Sequence, residues 1–176
     1  MRVVALDPSL TCTGVADSAL GAPFTITPPA GLSGMARLHW IQKQVMRVCT
    51  GADLVSIEGY AHGSKFNAHA MGEVGGIIRL TLWCMGVAYV DVPPSVRMKL
   101  ATGKGSAKKE HVLAEAIHRL SYQGHDNNEA DALWLLQAAL QEYGLPGAAQ
   151  LPANHLERMS KAKAEWPALD DLRRSA

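Results

Sequence analysis

A chain of 176 residues has room for one domain with a sizeable core, and not for two. Apolar residues make up 48% and charged residues 19%, which excludes a disordered chain. The formal net charge of +1 excludes a globally basic nucleic-acid binder, so any basic footprint has to be local.

Taken in chain order, "RVVALD" (Arg2 to Asp7) is a short β-branched run and predicts a buried strand ending in an acid. "TGVADS" and "APFTIT" predict two more short strands joined by tight turns. "SGMARLHWIQKQVMRVCTG" places Met35, Leu38, Ile41, Val45 and Val48 at helical spacing, with Ser33 to cap the start and Gly51 to end it. "DLVSIEG" is a second buried strand that ends in an acid, Glu58. "YAHGSKFNAHA" reads as a polar loop entering a helix, "MGEVGGIIRLTLWCMG", whose Gly72, Gly75 and Gly76 permit close backbone contact. "VAYVDV" is a strand stopped by Pro93 and Pro94. A basic stretch follows, then a helix over "KKEHVLAEAIHRL", and "NEADALWLLQAALQEYG" is the strongest helix of the chain. Beyond "GLPGAAQLP" lies a mixed-charge tail. The order β-β-β-α-β-α-β-α-α implies an α/β fold: a three-stranded antiparallel meander within a mixed sheet flanked by helices.

Cys12, Cys49 and Cys84 are far apart and odd in number, which argues against a disulfide framework or structural zinc and fits a reducing cytoplasm. "MRVVALDPSL" has no long apolar h-region, and no run approaches the roughly 18 apolar residues that span a bilayer. A soluble cytoplasmic protein without a membrane partner is the expectation.

Two buried strands end in acids, Asp7 and Glu58, and a late helix offers Asp131. A carboxylate at the end of an apolar strand is costly to bury unless it is paired or metal-bound. Carboxylates gathered from separate elements repel one another, and a divalent cation resolves that repulsion. Oxygen-only ligands suit Mg²⁺ or Mn²⁺ rather than zinc. A pair of such ions activates water and stabilises the leaving oxygen in phosphodiester cleavage. Acids at strand ends also cap helices or pair with arginine, so the combination of three carries more weight than any one of them.

"DNNEAD" starts the last strong helix. At about 100° per residue, Asn128 lies about 60° and Asn127 about 40° from Asp131, so both share its face, whereas Glu129 points about 160° away. Asp126 with Glu129 matches an acidic variant of the capping box. Asn128 offers a neutral carbonyl oxygen, a weaker hard ligand than a carboxylate. Asp126 is the alternative source of that ligand, directly or through water.

From Ser95 to Lys109 the chain carries Arg97, Lys99, Lys104, Lys108 and Lys109 and no acid. This is the local basic footprint, and "TGKG" followed by "SAKK" at a helix start suits phosphate binding by backbone N–H and ammonium groups. His62, His69, His111, His118 and His125 show no metal-binding spacing.

"ALDPSLTCTGVA", "VSIEGY", "PPSVRMKLATGKGSAKKEHV" and "NNEADALWLL" resemble, in that order, the successive motifs of RuvC-type Holliday junction resolvases. "GEVGGIIR" and the compact length are closer to phage-borne members. The resemblance covers Arg2 to about Tyr143 and implies an RNase H-like nuclease domain over 1–145, with 146–176 as a tail forming a peripheral helix. It implies a homodimer that nicks two strands of a four-way DNA junction, leaving 5′-phosphates, with two Mg²⁺ or Mn²⁺ ions per site and no small-molecule cofactor. Asp7, Glu58 and Asp131 match the family's acids, and Asn128 stands where the family usually has Asp or His. Arg97 and Lys109 match its basic positions near the reaction centre, giving Lys109 a catalytic role. Tyr60 or Phe66 matches the aromatic residue that stacks at the junction centre. The helix from Met71 to Met85 is the expected dimer face.

Three other readings compete. A nuclease of the same fold with broader branched or flap substrates shares all these residues. A junction-binding protein with weak or no cleavage fits the missing fourth carboxylate. "DPSLTCTG" also resembles the phosphate loop of actin-like ATPases, with Ser9, Thr11 and Thr13 beside Asp7, but those proteins need a second such domain.

Overall fold

The computed structural model describes residues 1–60, 68–162 and 164–174. Five strands form one sheet: β1 (Val3–Asp7), β2 (Thr13–Asp17), β3 (Phe24–Ile26), β4 (Leu54–Glu58) and β5 (Ala88–Val92). Their order across the sheet is β3-β2-β1-β4-β5, with β1, β2 and β3 antiparallel and β4 and β5 parallel to β1. The meander and the mixed sheet expected from the chain order are both present.

Helices cover both faces: α1 (Gly34–Cys49), α2 (Ala68–Cys84), α3 (Pro94–Thr102), α4 (Lys109–Leu120), α5 (Asn127–Glu142), α6 (Ala153–Ser160) and α7 (Leu169–Arg174). The two-residue period of a strand divides β1 between two cores. Val4 and Leu6 pack with the buried face of α1, through Leu38, Ile41 and Val45, and with Val74, Ile78 and Leu82 of α2. Val3 and Ala5 pack with Trp134, Leu135 and Ala138 of α5 on the other side. The period then sends Asp7 to the α5 side, and Ser56 of β4, whose hydroxyl donates to Leu135 O at 3.1 Å, sends Glu58 there too. Leu6 pairs with Ile57 in the parallel register, so Asp7 and Glu58 are the next residues along two adjacent strands.

Three departures from the expected elements have physical reasons. Residues 94–102, part of the basic stretch to which no helix is assigned from sequence, form helix α3. Pro94 at its first helical position needs no intrahelical partner for its missing N–H, so the proline that stops β5 also starts a helix. Ser33 occupies the N-cap position of α1, but its side chain makes no cap bond. Among the described residues beyond 145 there are two helices, and Met159 of α6 and Leu172 of α7 are buried in the same core as Trp134.

Close approach of α5 to the sheet depends on one glycine. Gly14, opposite Asp7 in the β1–β2 register, has no room for a side chain, because a Cβ would stand 2.0 Å from the carbonyl oxygen of Asn128. Backbone atoms cannot swing aside, so the first turn of α5 would have to lift. Gly14→Ala is therefore expected to destabilise the protein by roughly 1–3 kcal/mol. Urea unfolding measures this, and a loss within error of zero means that α5 shifts freely on the sheet.

Candidate active site

Asp7, Glu58 and Asp131 come from the ends of β1 and β4 and the second turn of α5, and they meet around one cation. Arg97 of α3, only 6% exposed, donates through Nε to Glu58 Oε1 at 2.7 Å, and Nη2 lies 2.7 Å from the same oxygen. Its Nη1 donates to Asp131 Oδ1. The Asp7 carboxyl lies beside that of Glu58, close enough for a hydrogen bond between them when Asp7 carries a proton. Arg97, expected to contact DNA as part of the local basic footprint and, by resemblance, to lie near the reaction centre, is thus buried inside the acidic cluster. The reason is α3 itself: a helix beginning directly after β5 carries its fourth residue back over the strand ends.

Three carboxylates around one guanidinium leave an excess of negative charge, and the titration of Asp7 and Asp131 reflects it. Burial raises the Asp7 carboxyl well above the ordinary range, and the charges of Glu58 and Asp131 raise it further, against the lowering effect of Arg97. Asp131 is pushed up to about 6, mainly by burial, although Arg97 and Lys109 pull it down. The influence of Lys109, the first residue of α4, places its charge within electrostatic reach of Asp131.

Asp126 caps α5: its Oδ1 accepts from the N–H groups of Asn128 at 2.7 Å and Glu129 at 3.2 Å. Glu129 does not reach back to Asp126 as a capping box would. Tyr122 relays instead, its hydroxyl donating to Glu129 and accepting from Asp126 N–H at 3.2 Å. Replacing Asp126 with alanine is expected to cost about 1 kcal/mol, most of it restored by asparagine. Equal melting temperatures for the parent and the alanine variant would contradict this assignment.

Whether this constellation suits a divalent ion is decided by its donors. Among the described residues, no three His, Cys, Asp or Glu side chains are placed to hold one metal ion, because Arg97 stands between Glu58 and Asp131. The donor chemistry nevertheless fits: every ligand is oxygen, and the carboxylates outnumber the guanidinium. In addition, Asn127 Oδ1 is buried with no partner, on the helix face that carries Asp131. A neutral oxygen in that position is suited to a cation or its water.

The other described residues expected to contact DNA lie on α3, in the loop from α3 to α4 and just after β4. Lys104 and Lys108 line a surface cleft of about 380 Å³ with Thr102, Ser106, Ala107, His111 and Glu115. Lys99, on the last turn of α3, packs beneath Gly105. Tyr60 is 45% exposed and fixed on one face, with the Arg79 guanidinium 4.5 Å over its ring and donating to its hydroxyl at 3.2 Å. Arg79 is held in turn by Asp91, at 3.0 Å from Nε to Oδ1. Phe66 lies outside the described residues. Ser9, Thr11 and Thr13 bond to one another within the β1–β2 loop, with Thr13 Oγ1 donating to Ser9 O at 2.9 Å. Along α2, Leu80 (54% exposed) and Trp83 (73%) follow Gly72 and Gly76 on an open face.

No protein-family model matches the chain. A curated protein, "Crossover junction endodeoxyribonuclease RuvC" of Nitratidesulfovibrio vulgaris (strain DP4), is 28% identical over 121 residues, covering 64% of this chain and 73% of the relative. The Thermus thermophilus RuvC structure superposes with a TM-score of 0.64 at 21% identity, over 86% of this chain and 100% of that one. T. thermophilus RuvC in complex with Holliday junction substrate gives 0.65 at 20% identity, over 86% and 99%. The chain therefore has the fold of these two RuvC structures.

Proposed function

We infer that this RuvC-type chain is a crossover junction endodeoxyribonuclease, a Holliday junction resolvase that nicks four-way DNA by divalent-metal-dependent hydrolysis. One observation carries the reading: three acids from three separate elements converge at the strand ends, around a buried arginine. Buried like charges destabilise a fold, so such an arrangement calls for a functional reason. The similarity to RuvC of N. vulgaris adds a substrate class that geometry alone does not supply.

Asp7, Glu58 and Asp131, with Asn128 in the fourth position, would hold Mg²⁺ or Mn²⁺, two ions per site. When bound, such ions lower the pKa of water and neutralise charge at the phosphate. The chain's own residues do the rest. Asp7 and Glu58, on adjacent strands of a rigid sheet, fix the reaction centre against the DNA backbone. The N-terminus of α5, held on the sheet by Gly14, directs its dipole at the same place and favours a phosphate there. Lys109 brings positive charge to where negative charge develops. Lys99, Lys104 and Lys108 hold flanking phosphates, and Tyr60 or Phe66 stacks against unpaired bases.

A four-way junction has two-fold symmetry, so a homodimer joined through α2 would set two sites on opposed strands. The open face with Leu80 and Trp83 supports that surface. The unit would be a nuclease domain over 1–145 with the tail 146–176 packed on it, acting in the cytoplasm. No helix among the described residues is long and apolar enough to cross a membrane.

Cleavage of a mobile four-way junction, a flap and a linear duplex, side by side in Mg²⁺ and in Mn²⁺, tests the reading. Paired nicks in the junction far in excess of the others are expected. Equal rates on all three would replace it with a broader branched-DNA nuclease. Junction binding with no nicks in either metal would make the protein a binding module, the reading that Asn128 in place of a fourth carboxylate motivates. Asn128→Asp is expected to tighten Mg²⁺ binding by about 10-fold, since a carboxylate is the stronger hard ligand. An unchanged metal dependence removes Asn128 from the ligand set.

A further inference from the structure

Helix α3 carries Arg97 near its start and runs into the basic loop at its end. What holds that end is the tail. His155 of α6 is buried, and its Nδ1 lies 2.9 Å from the carbonyl oxygen of Leu100. A carbonyl only accepts, so Nδ1 carries the proton and donates. Arg158, one turn further along α6, donates to the carbonyl oxygen of Gly103. Leu100 O is one of the C-terminal carbonyls that a helix cannot satisfy internally, Gly103 O follows at the cap, and a guanidinium there also complements the helix dipole.

The junction between α3 and the loop is built for this contact. Gly103 adopts a left-handed conformation, with φ of 71°, and a Cβ there would stand 2.9 Å from His155 Nε2. The loop then folds back on α3: Lys104 N–H donates to Thr102 Oγ1 at 3.2 Å, and Ala107 N–H to Met98 Sδ at 3.3 Å. One imidazole and one guanidinium from the tail therefore fix the last turn of α3. Through it they fix both the direction of Arg97 and the course of the lysine loop towards Lys109.

We propose that α6 is a positioning clamp for strand cleavage, with His155 and Arg158 as positioning residues that act through α3 and never touch DNA. The proposal rests on the nuclease reading for its effect on rate, but the clamp itself is testable without it.

The full chain is compared with His155→Ala, His155→Asn and Arg158→Met. Amide exchange over residues 98–106 in the absence of DNA reads the hold directly. Both His155→Ala and Arg158→Met should exchange faster there, and His155→Asn, whose amide nitrogen replaces Nδ1, should return to the parental rate. Single-turnover nicking at saturating protein should fall about 10-fold or more in His155→Ala, as small misplacements of a reaction centre do. Junction affinity without divalent metal should change far less, and His155→Asn should recover the rate. Unchanged exchange over 98–106 would overturn the clamp, whatever the nuclease activity. Faster exchange with parental nicking at saturation, or a rate falling only with the folded fraction, would reduce α6 to a structural role. A parent that does not nick the junction would overturn the nuclease reading and leave the exchange result to decide the clamp. Should His155→Ala fail to fold, Arg158→Met carries the same comparison.

Discussion

Asp7→Asn is expected to yield a protein that is more stable at neutral pH and nicks DNA far more slowly. Asp7 is buried beside Glu58 and Asp131, and its carboxyl is raised well above the ordinary range by burial and by those two charges. A carboxyl whose folded pKa exceeds its unfolded value stabilises most below the unfolded value, and loses that contribution as pH rises through the folded one. Asp131, raised to about 6, acts in the same direction. The metal-free protein should thus become less stable from about pH 4 upward, because ordinary carboxyls in the unfolded chain ionise near there. Asparagine removes one of the repelling charges and keeps the shape. The stability gain of Asp7→Asn should therefore be largest at neutral pH and vanish below about pH 4. Nicking should fall on the order of 10³-fold, since the variant loses charge where the reaction needs it. Urea titrations at several pH values, alongside junction cleavage, measure both. A variant less stable than the parent at neutral pH, or one that cuts at the parental rate, would contradict the assignment of Asp7.

Arg97→Met should have the opposite sign in stability. Arg97 is the counter-charge of the cluster, bonded to Glu58 and Asp131 while nearly excluded from solvent. Removing one partner of a buried ion pair leaves the other charges uncompensated, and the expected cost is about 3–5 kcal/mol at neutral pH without metal. The deficit should shrink as pH falls and the carboxyls take up protons. A divalent ion should restore part of it by supplying the missing positive charge. Arg97→Lys should recover only a fraction, because a single ammonium cannot bridge two carboxylates as a guanidinium fork does. Melting with and without Mn²⁺ reads these effects. A Met variant as stable as the parent, and indifferent to Mn²⁺, would show that Arg97 does not balance the acids.

Much of this centre is legible in the linear order of residues. Asp7 and Glu58 each end a run of buried β-branched and aliphatic residues, and the strand period settles which face they take. Asp131 sits in the second turn of a helix, just before its unmistakable apolar run, and Asp126 caps that helix as its residue type and position suggest. Arg97 is different. In sequence it belongs with Lys99 to Lys109 as one of a basic series, and nothing in that series separates a buried counter-ion from surface cations. The separation comes from Pro94, which starts α3 at the end of β5 and turns Arg97 over the strand ends.

What the sequence by itself determined is the set of acids, the alternation that aims two of them at one face, and the cap of α5, all of them local and periodic properties. Tertiary structure alone decided that Arg97 balances those acids, that Gly14 lets α5 lie against Asp7, and that His155 of the tail secures α3. Each of these joins residues far apart in the chain, and each depends on which atoms share a space too small for water or for one more methyl group. Close packing sets that condition, and no periodicity in the sequence records it.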